Sequence, residues 1–338
     1  MKQAMLKLMK VTGSFAPFRF ANRNRALILT YHRFGDGSDG AMTSARDFCE
    51  QLDYLAAHYE IVPLSFIAAR LRTKRGLPAR VAAITIDDGY SDSYAVAFPI
   101  LRDRNLPATI FVVTEFVERK IWMWTDKLRY LALRARKESL EATVANRELR
   151  FTLNGRASRV TAAERVNAVL KSISEDDKNK AIARLSESLG VEIPGTPPDD
   201  LGPITWQQAR EMDRAGVEIA SHTLTHPILT NVGPDQLRGE VAESRARLQS
   251  ILKRKVDLFC YPNGSYNRAV VNEVERAGYA SAVTVEHGLN DGQSHPFALK
   301  RIHTEPDIAH FVQSTSGFEQ IKASLHAVRT KGMSRAGL

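Results

Sequence analysis

Two adjacent aspartates, Asp87 and Asp88, directly follow the apolar run Val81–Ile86 and are followed by Gly89. Carboxylates so close repel, and burying either one without a partner is costly, so something must compensate. Two histidines, His222 and His226, stand four residues apart. Imidazoles at that spacing reach one centre where the chain is helical or tightly turned. Two histidines with one carboxylate leave a coordination position open, as catalytic zinc requires, while the other carboxylate stays ionised beside it as a base. Singly, each feature has a plainer reading. Asp-Gly after a strand is common turn chemistry, and paired histidines can be satisfied by backbone carbonyls. Together they point to a cation with a base next to it.

The elements that would position these groups alternate between strand-like and helix-like. Apolar runs read as strands at Ala26–Tyr31, Glu60–Leu64, Val81–Ile86, Ala108–Val113, Val217–Ala220, Asp257–Tyr261, Ala280–Val285 and Phe297–Ile302. Helical spacings lie between them, with Ser44 placed to cap the helix carrying Phe48, Leu52 and Leu55. Such alternation predicts a parallel sheet or barrel clothed in helices, with chemistry at the carboxyl ends of the strands. Several predicted strands end in groups that bind metal, move protons or hold an oxyanion. These are His32, then Asp87 and Asp88, then His222 and His226, then Tyr261-Pro262-Asn263-Gly264, and last Arg301 with His303 just beyond.

Residues 115–204 break this rhythm and read as an insertion rather than an independent domain. They carry Trp122 and Trp124, read as core, and a hairpin expected to turn on Asn154-Gly155. Two helices follow, with Thr161 and Glu164 at capping-box spacing and Gly190 closing the second. The domain at 26–312 is then flanked by a basic segment at 1–25 and a basic tail at 313–338. Of the net charge of +9, residues 1–33 carry seven Lys or Arg and no acid, and residues 322–338 carry four and no acid. Such ends read as solvated tails or as attraction to an anionic membrane face, because Met and Leu alternate with Lys over the first ten residues. No basic stripe interleaves with aromatics in the body, so no nucleic-acid partner is expected. Two cysteines, Cys49 and Cys260, lie far apart and argue for a reducing compartment. With no secretory pattern at the N-terminus, the expected location is cytoplasmic, peripheral to the inner face of the membrane.

The stretches "TIDDGYSDSY", "SHTLTHPIL" and "FCYPNGSYN" resemble, in order, the three principal motifs of the polysaccharide deacetylase family, the NodB-homology or carbohydrate esterase family 4 domain. The resemblance spans most of residues 26–302 outside the insertion. It implies an α/β fold, a distorted (β/α)7-type barrel with an inserted helical and hairpin segment. It also implies metal-dependent removal of acetyl groups, N-acetyl foremost, from a glycan of the cell envelope or an exopolysaccharide. By resemblance Asp87 is the general base, and Asp88, His222 and His226 hold the metal, Zn2+ before Co2+, Ni2+ or Fe2+. Tyr261, in the substrate-binding run Tyr261–Gly264, offers its backbone N–H to the oxyanion. His32 in "LILTYHRF" is preferred over His303 as the general acid. The family often places an arginine two residues before the motif proline, where this chain has Cys260, and Arg301 is expected to take over the orienting of the base. The expected partner is an acetylated glycan. The rival readings are a glycan-binding pseudoenzyme, an O-acetyl esterase, and a thiol hydrolase using Cys260.

Overall fold

The structure, a computed structural model, describes residues 2–36, 42–144 and 147–322. Its strands are β1 (Leu27–Tyr31), β2 (Glu60–Ile61), β3 (Val81–Ile86), β4 (Ala108–Val112), β5 (Ser139–Val144), β6 (Arg147–Thr152), β7 (Val217–Ser221), β8 (Leu258–Cys260), β9 (Ser281–His287) and β10 (Leu299–His303). Seven of them, β1, β3, β4, β7, β8, β9 and β10, pair in parallel in chain order, and β10 returns to β1 to close a barrel. Thus the (β/α)7-type barrel expected from the sequence is the observed fold. β1 runs along one edge of β3 throughout, so β2, paired at Val81 and Ala82, and β4, paired at Thr85 and Ile86, share the other edge.

Strand parity decides what each residue faces, because successive side chains point to opposite sides of the barrel wall. Leu27, Leu29 and Tyr31, Ala82, Ile84 and Ile86, and Phe259 and Tyr261 belong to the core between strands and helices. The alternate residues Ile28, Val81, Ala83, Ala220, Leu258, Cys260, Val283 and Leu299 fill the interior, joined by Leu64, Ile67 and Leu71 of helix Leu64–Arg72. Continuing the interior parity past the strand ends reaches His32, Asp87 and His222, and the same parity within β10 places Arg301. The same alternation that fills the barrel with hydrocarbon therefore delivers its polar groups to one mouth.

The segment between β4 and β7 has a core of its own. Leu128 and Leu131 of helix Trp124–Arg134 pack with Leu140, Val166, Leu170 and Leu185 from the hairpin and helices Arg156–Leu170 and Glu175–Leu189. Two expectations are corrected here. The hairpin is β5 against β6, with Leu140 opposite Phe151 and Ala142 opposite Leu149, and its turn lies outside the described residues. Asn154-Gly155 instead joins β6 to helix Arg156–Leu170, because Ala162, Val166 and Leu170 bury a helical face that outweighs the local turn signal. Thr161 consequently lies inside that helix and caps nothing. Trp122 and Trp124 are buried, as core side chains should be, and Gly190 caps helix Glu175–Leu189 as expected.

The N-terminal segment is not a solvated tail. Helices Lys2–Val11 and Ala16–Ala21 dock through Leu6 and Phe15 onto Ala309 and Val312 of helix Ile308–Thr315. The basic C-terminal tail beyond residue 322 lies outside the described residues. Among the described residues, no helix is long and apolar enough to cross a membrane.

Candidate active site

At the carboxyl end of β3 the backbone turns sharply. Gly89 has φ +82°, and a Cβ added there would meet Val112 Cγ1 at 2.9 Å. Gly89→Ala is expected to lower stability by about 1–3 kcal/mol, read by urea unfolding, and to disturb the aspartates just before it. Asp88 itself adopts φ 73°, and Thr223 and His226 on the facing loop adopt 72° and 62°. L-residues rarely take this conformation, and it turns both facing loops sharply at the strand ends.

The loops bring Asp88, His222 and His226 together. The His222 and His226 Nε2 atoms lie 3.2 Å apart, and each is 3.5 Å from Asp88 Oδ1. His222 Nδ1 lies 2.8 Å from the Cys260 carbonyl, so Nδ1 carries the proton and Nε2 presents a lone pair to the cluster. Burial and the neighbouring Asp87 push the Asp88 carboxyl well up, and burial pushes both imidazoles down. One carboxyl group and two neutral imidazoles, with their donor atoms converging, form a set suited to a cation. These residues fit a divalent metal in type and convergence. A second grouping of Asp87, His222 and Cys260 also converges, but it fits poorly. The Arg301 guanidinium already occupies Asp87 and would repel a cation, and burial holds the Cys260 thiol protonated.

Asp87 sits behind the cluster, almost fully buried. Arg301 grips it in a fork, Nη1 donating to Oδ1 at 2.8 Å and Nη2 to Oδ2 at 2.7 Å. Arg301 is itself buried and donates further to the Thr85 hydroxyl and the Thr284 carbonyl. Burial alone would raise the Asp87 pKa, yet the guanidinium overrides it and holds this carboxyl far below the usual range. Cys260 Sγ lies 3.2 Å from Arg301 Nη2 and 3.6 Å from Asp87 Oδ2, filling the corner between them. Its raised pKa removes the thiolate that a thiol hydrolase would need.

His32 lies at the rim with 37% of its side chain open and Nε2 3.7 Å from Asp87 Oδ2, too long for a hydrogen bond. Desolvation lowers its pKa, opposed by Asp87 and reinforced by His303, Arg301 and His222. His303 is exposed at the end of β10, its ring centroid 5.5 Å from that of His32.

The Tyr261–Gly264 run departs from expectation. The Tyr261 N–H points to the Val283 carbonyl at 3.3 Å, extending the β8–β9 ladder by one residue, and is not open to an oxyanion. Its ring has the outward parity, packs against Tyr266 and is fully buried. Pro262 is buried, Asn263 is exposed with its amide on the Ser265 hydroxyl, and Gly264 has φ +66° beneath Val285.

Sequence reasoning missed two supports. Glu240, buried on helix Pro234–Leu252, accepts from the Leu224 and Thr225 N–H groups at 2.9 Å each and from the Thr225 hydroxyl. It thereby fixes the loop between the two histidines. Its signal was an acid in helical register with the apolar residues Leu237, Val241 and Leu248. The other support is the floor of a cavity of about 660 Å³ between Asp88 and the insertion, lined by Tyr90, Asp126, Arg129, Tyr130 and Arg134 among others. There the Tyr90 hydroxyl donates to Asp126 at 2.7 Å, and burial raises the Asp126 pKa to about 6. Arg33 lies 4.1 Å above the Tyr90 ring.

Comparison with known proteins follows the same lines. Residues 74–282 match the profile of the family described as polysaccharide deacetylase. The chain is 20% identical over 283 residues to YxkH of Bacillus subtilis, named after that family, covering 83% of this chain and 72% of that protein. It is 24% identical over 323 residues to the poly-beta-1,6-N-acetyl-D-glucosamine N-deacetylase of Escherichia coli K12, covering 86% of this chain but only 38% of that enzyme. In fold it is similar to the Streptococcus pyogenes deacetylase PplD in complex with acetate, with TM-score 0.59 at 19% identity, covering 87% of this chain and 99% of that one.

Proposed function

Because this chain belongs to the polysaccharide deacetylase family, whose members are hydrolytic deacetylases, we propose that it removes N-acetyl groups from a polymer or precursor of N-acetylglucosamine, using a divalent metal held by Asp88, His222 and His226. The observation that carries this reading is the three-donor cluster with an arginine-held carboxylate beside it at one barrel mouth. The similarity to the E. coli enzyme supports N-acetylglucosamine as the sugar. Zn2+ suits the ligand set, and Co2+, Ni2+ and Fe2+ share its donor preferences.

A cation bound there supplies Lewis acidity, making water more acidic and polarising the acetyl carbonyl. Asp87 takes the proton of the attacking water. Arg301 keeps it ionised and therefore unprotonated before the reaction, at the cost of a weaker hold on the proton, which it can pass on. His32 faces the leaving nitrogen from the rim. It is neutral at rest, so it gains its proton during the reaction, from Asp87, and gives it to the amine as the C–N bond breaks. The insertion forms the far wall of the cavity, where Tyr130, Arg134 and their neighbours meet the glycan beyond the reacting sugar.

The test is acetate release from β-1,6- and β-1,4-linked N-acetylglucosamine oligomers by metal-stripped protein, before and after adding zinc. Release restored by zinc supports the reading. Equal release without metal overturns the metal role. Zinc binding with no release from any N- or O-acetylated oligomer favours a glycan-binding pseudoenzyme instead.

A further inference from the structure

Among the described residues, five large hydrophobic side chains are exposed, and four belong to the two N-terminal helices: Met5 (55%), Leu8 (63%), Val11 (83%) and Phe20 (64%). Random surface exposure would scatter them over the molecule. Helix Lys2–Val11 has two apolar faces. Leu6 and Met9 are spent on the contact with Phe15, Ala309 and Val312. Met5, Leu8 and Val11, three residues apart, form a second stripe turned to solvent.

The segment that carries this stripe has charge of one sign, although Lys10 pairs with Glu50 and Arg25 with Asp291, and Arg33 lies at the other end of the barrel. Residues 1–33 contain seven Lys or Arg and no Asp or Glu. Lys7 is exposed on the same helix, and the Arg23 guanidinium lies 4.2 Å above the exposed Phe20 ring. Apolar side chains interleaved with cations complement a surface that is hydrocarbon below and anionic above. A second copy of the chain would present the same positive charge and be repelled. We propose that this N-terminal helix pair is a docking face for an anionic lipid bilayer, with Met5, Leu8, Val11 and Phe20 entering the headgroup layer.

The placement leaves catalysis free. Phe20 and Arg23 lie where the chain enters β1, at the amino-terminal end of the barrel, and Arg23 is bonded to Arg80 just ahead of β3. The candidate active site lies at the opposite, carboxyl end of the same strands. The Phe20 end of the docking face therefore lies away from the mouth, while helix Lys2–Val11 packs on the flank against helix Ile308–Thr315.

The experiment is flotation of the full chain with vesicles of phosphatidylcholine alone and of phosphatidylcholine with phosphatidylglycerol. The expected result is co-flotation with the anionic vesicles, weakened by salt, and lost at least tenfold in Leu8→Glu/Val11→Glu and in the charge reversal Lys7→Glu. Circular dichroism, melting temperature and acetate release from a soluble oligomer should not change in these variants. Lys7→Glu touches no packing and so tests the face even if the double variant is unstable. Absence of flotation, or equal flotation of wild type and all variants, overturns the proposal. A wild-type dimer that Leu8→Glu/Val11→Glu converts to monomer, with no vesicle binding, overturns it in favour of a homotypic contact.

Discussion

Asp87→Asn is expected to lower acetate release by about a thousandfold while leaving zinc bound within a few-fold of the parent affinity. The two quantities separate because different residues carry them. Asp88, His222 and His226 converge on the proposed metal position, whereas Asp87 is committed to Arg301 and stands behind. Removing the charge of Asp87 removes the proposed proton acceptor but no proposed ligand. Isothermal titration with zinc and an acetate assay on the same preparation make the comparison. Loss of zinc binding with loss of rate would move Asp87 into the metal shell, and retained rate would sink its role as base.

The second large effect is on stability. Arg301→Leu removes the partner of a carboxylate that is nearly inaccessible to water, and loss of one member of a buried pair costs about 3–5 kcal/mol. The guanidinium also bonds the Thr85 hydroxyl and the Thr284 carbonyl, so three strands lose a common tie. Urea unfolding of Arg301→Leu should show this loss, with a fall in activity beside it. Cys260 offers a control, because its Sγ touches both Arg301 and Asp87. In Cys260→Arg/Arg301→Leu a guanidinium approaches the same carboxylate from β8, the position the family often uses. Recovery of part of the stability and rate would show that Asp87 needs a guanidinium, not one particular strand. No recovery beyond the single variant would mean that the ties of Arg301 to Thr85 and Thr284 dominate.

The barrel and its polar mouth were legible in the sequence because both follow from alternation. Apolar runs of strand length ended in His32, Asp87, His222 and Arg301, and a parallel barrel sends those ends to one place. The pairing of Arg301 with Asp87 could be anticipated because a buried acid needs a partner and Cys260 stands where a cation was expected. What escaped depended on contacts that no local pattern carries. The Tyr261 N–H is consumed by one extra ladder bond to Val283, and strand registers of that precision are set by the whole barrel. Glu240 looked like one more helical acid until the helix was packed against the histidine loop. Asn154-Gly155 carried a strong turn signal, but burial of the helix after it decided the conformation. The N-terminal helices were hidden by their charge, since the apolar contacts that dock them lie on residues 309 and 312, far along the chain.

The fork between Arg301 and Asp87 joins residues 214 positions apart, and β10, which carries Arg301, is also the strand that closes onto β1. During synthesis on the ribosome, Asp87 emerges long before its counterion exists. A nascent chain can assemble the β3–β4 pair early, but its inner acid stays uncompensated until the last barrel strand arrives. Charge neutralisation and ring closure are thus one late event. The same strand that shuts the barrel brings the counterion of the inner acid, so an incompletely made chain has neither a sealed scaffold nor a neutralised interior.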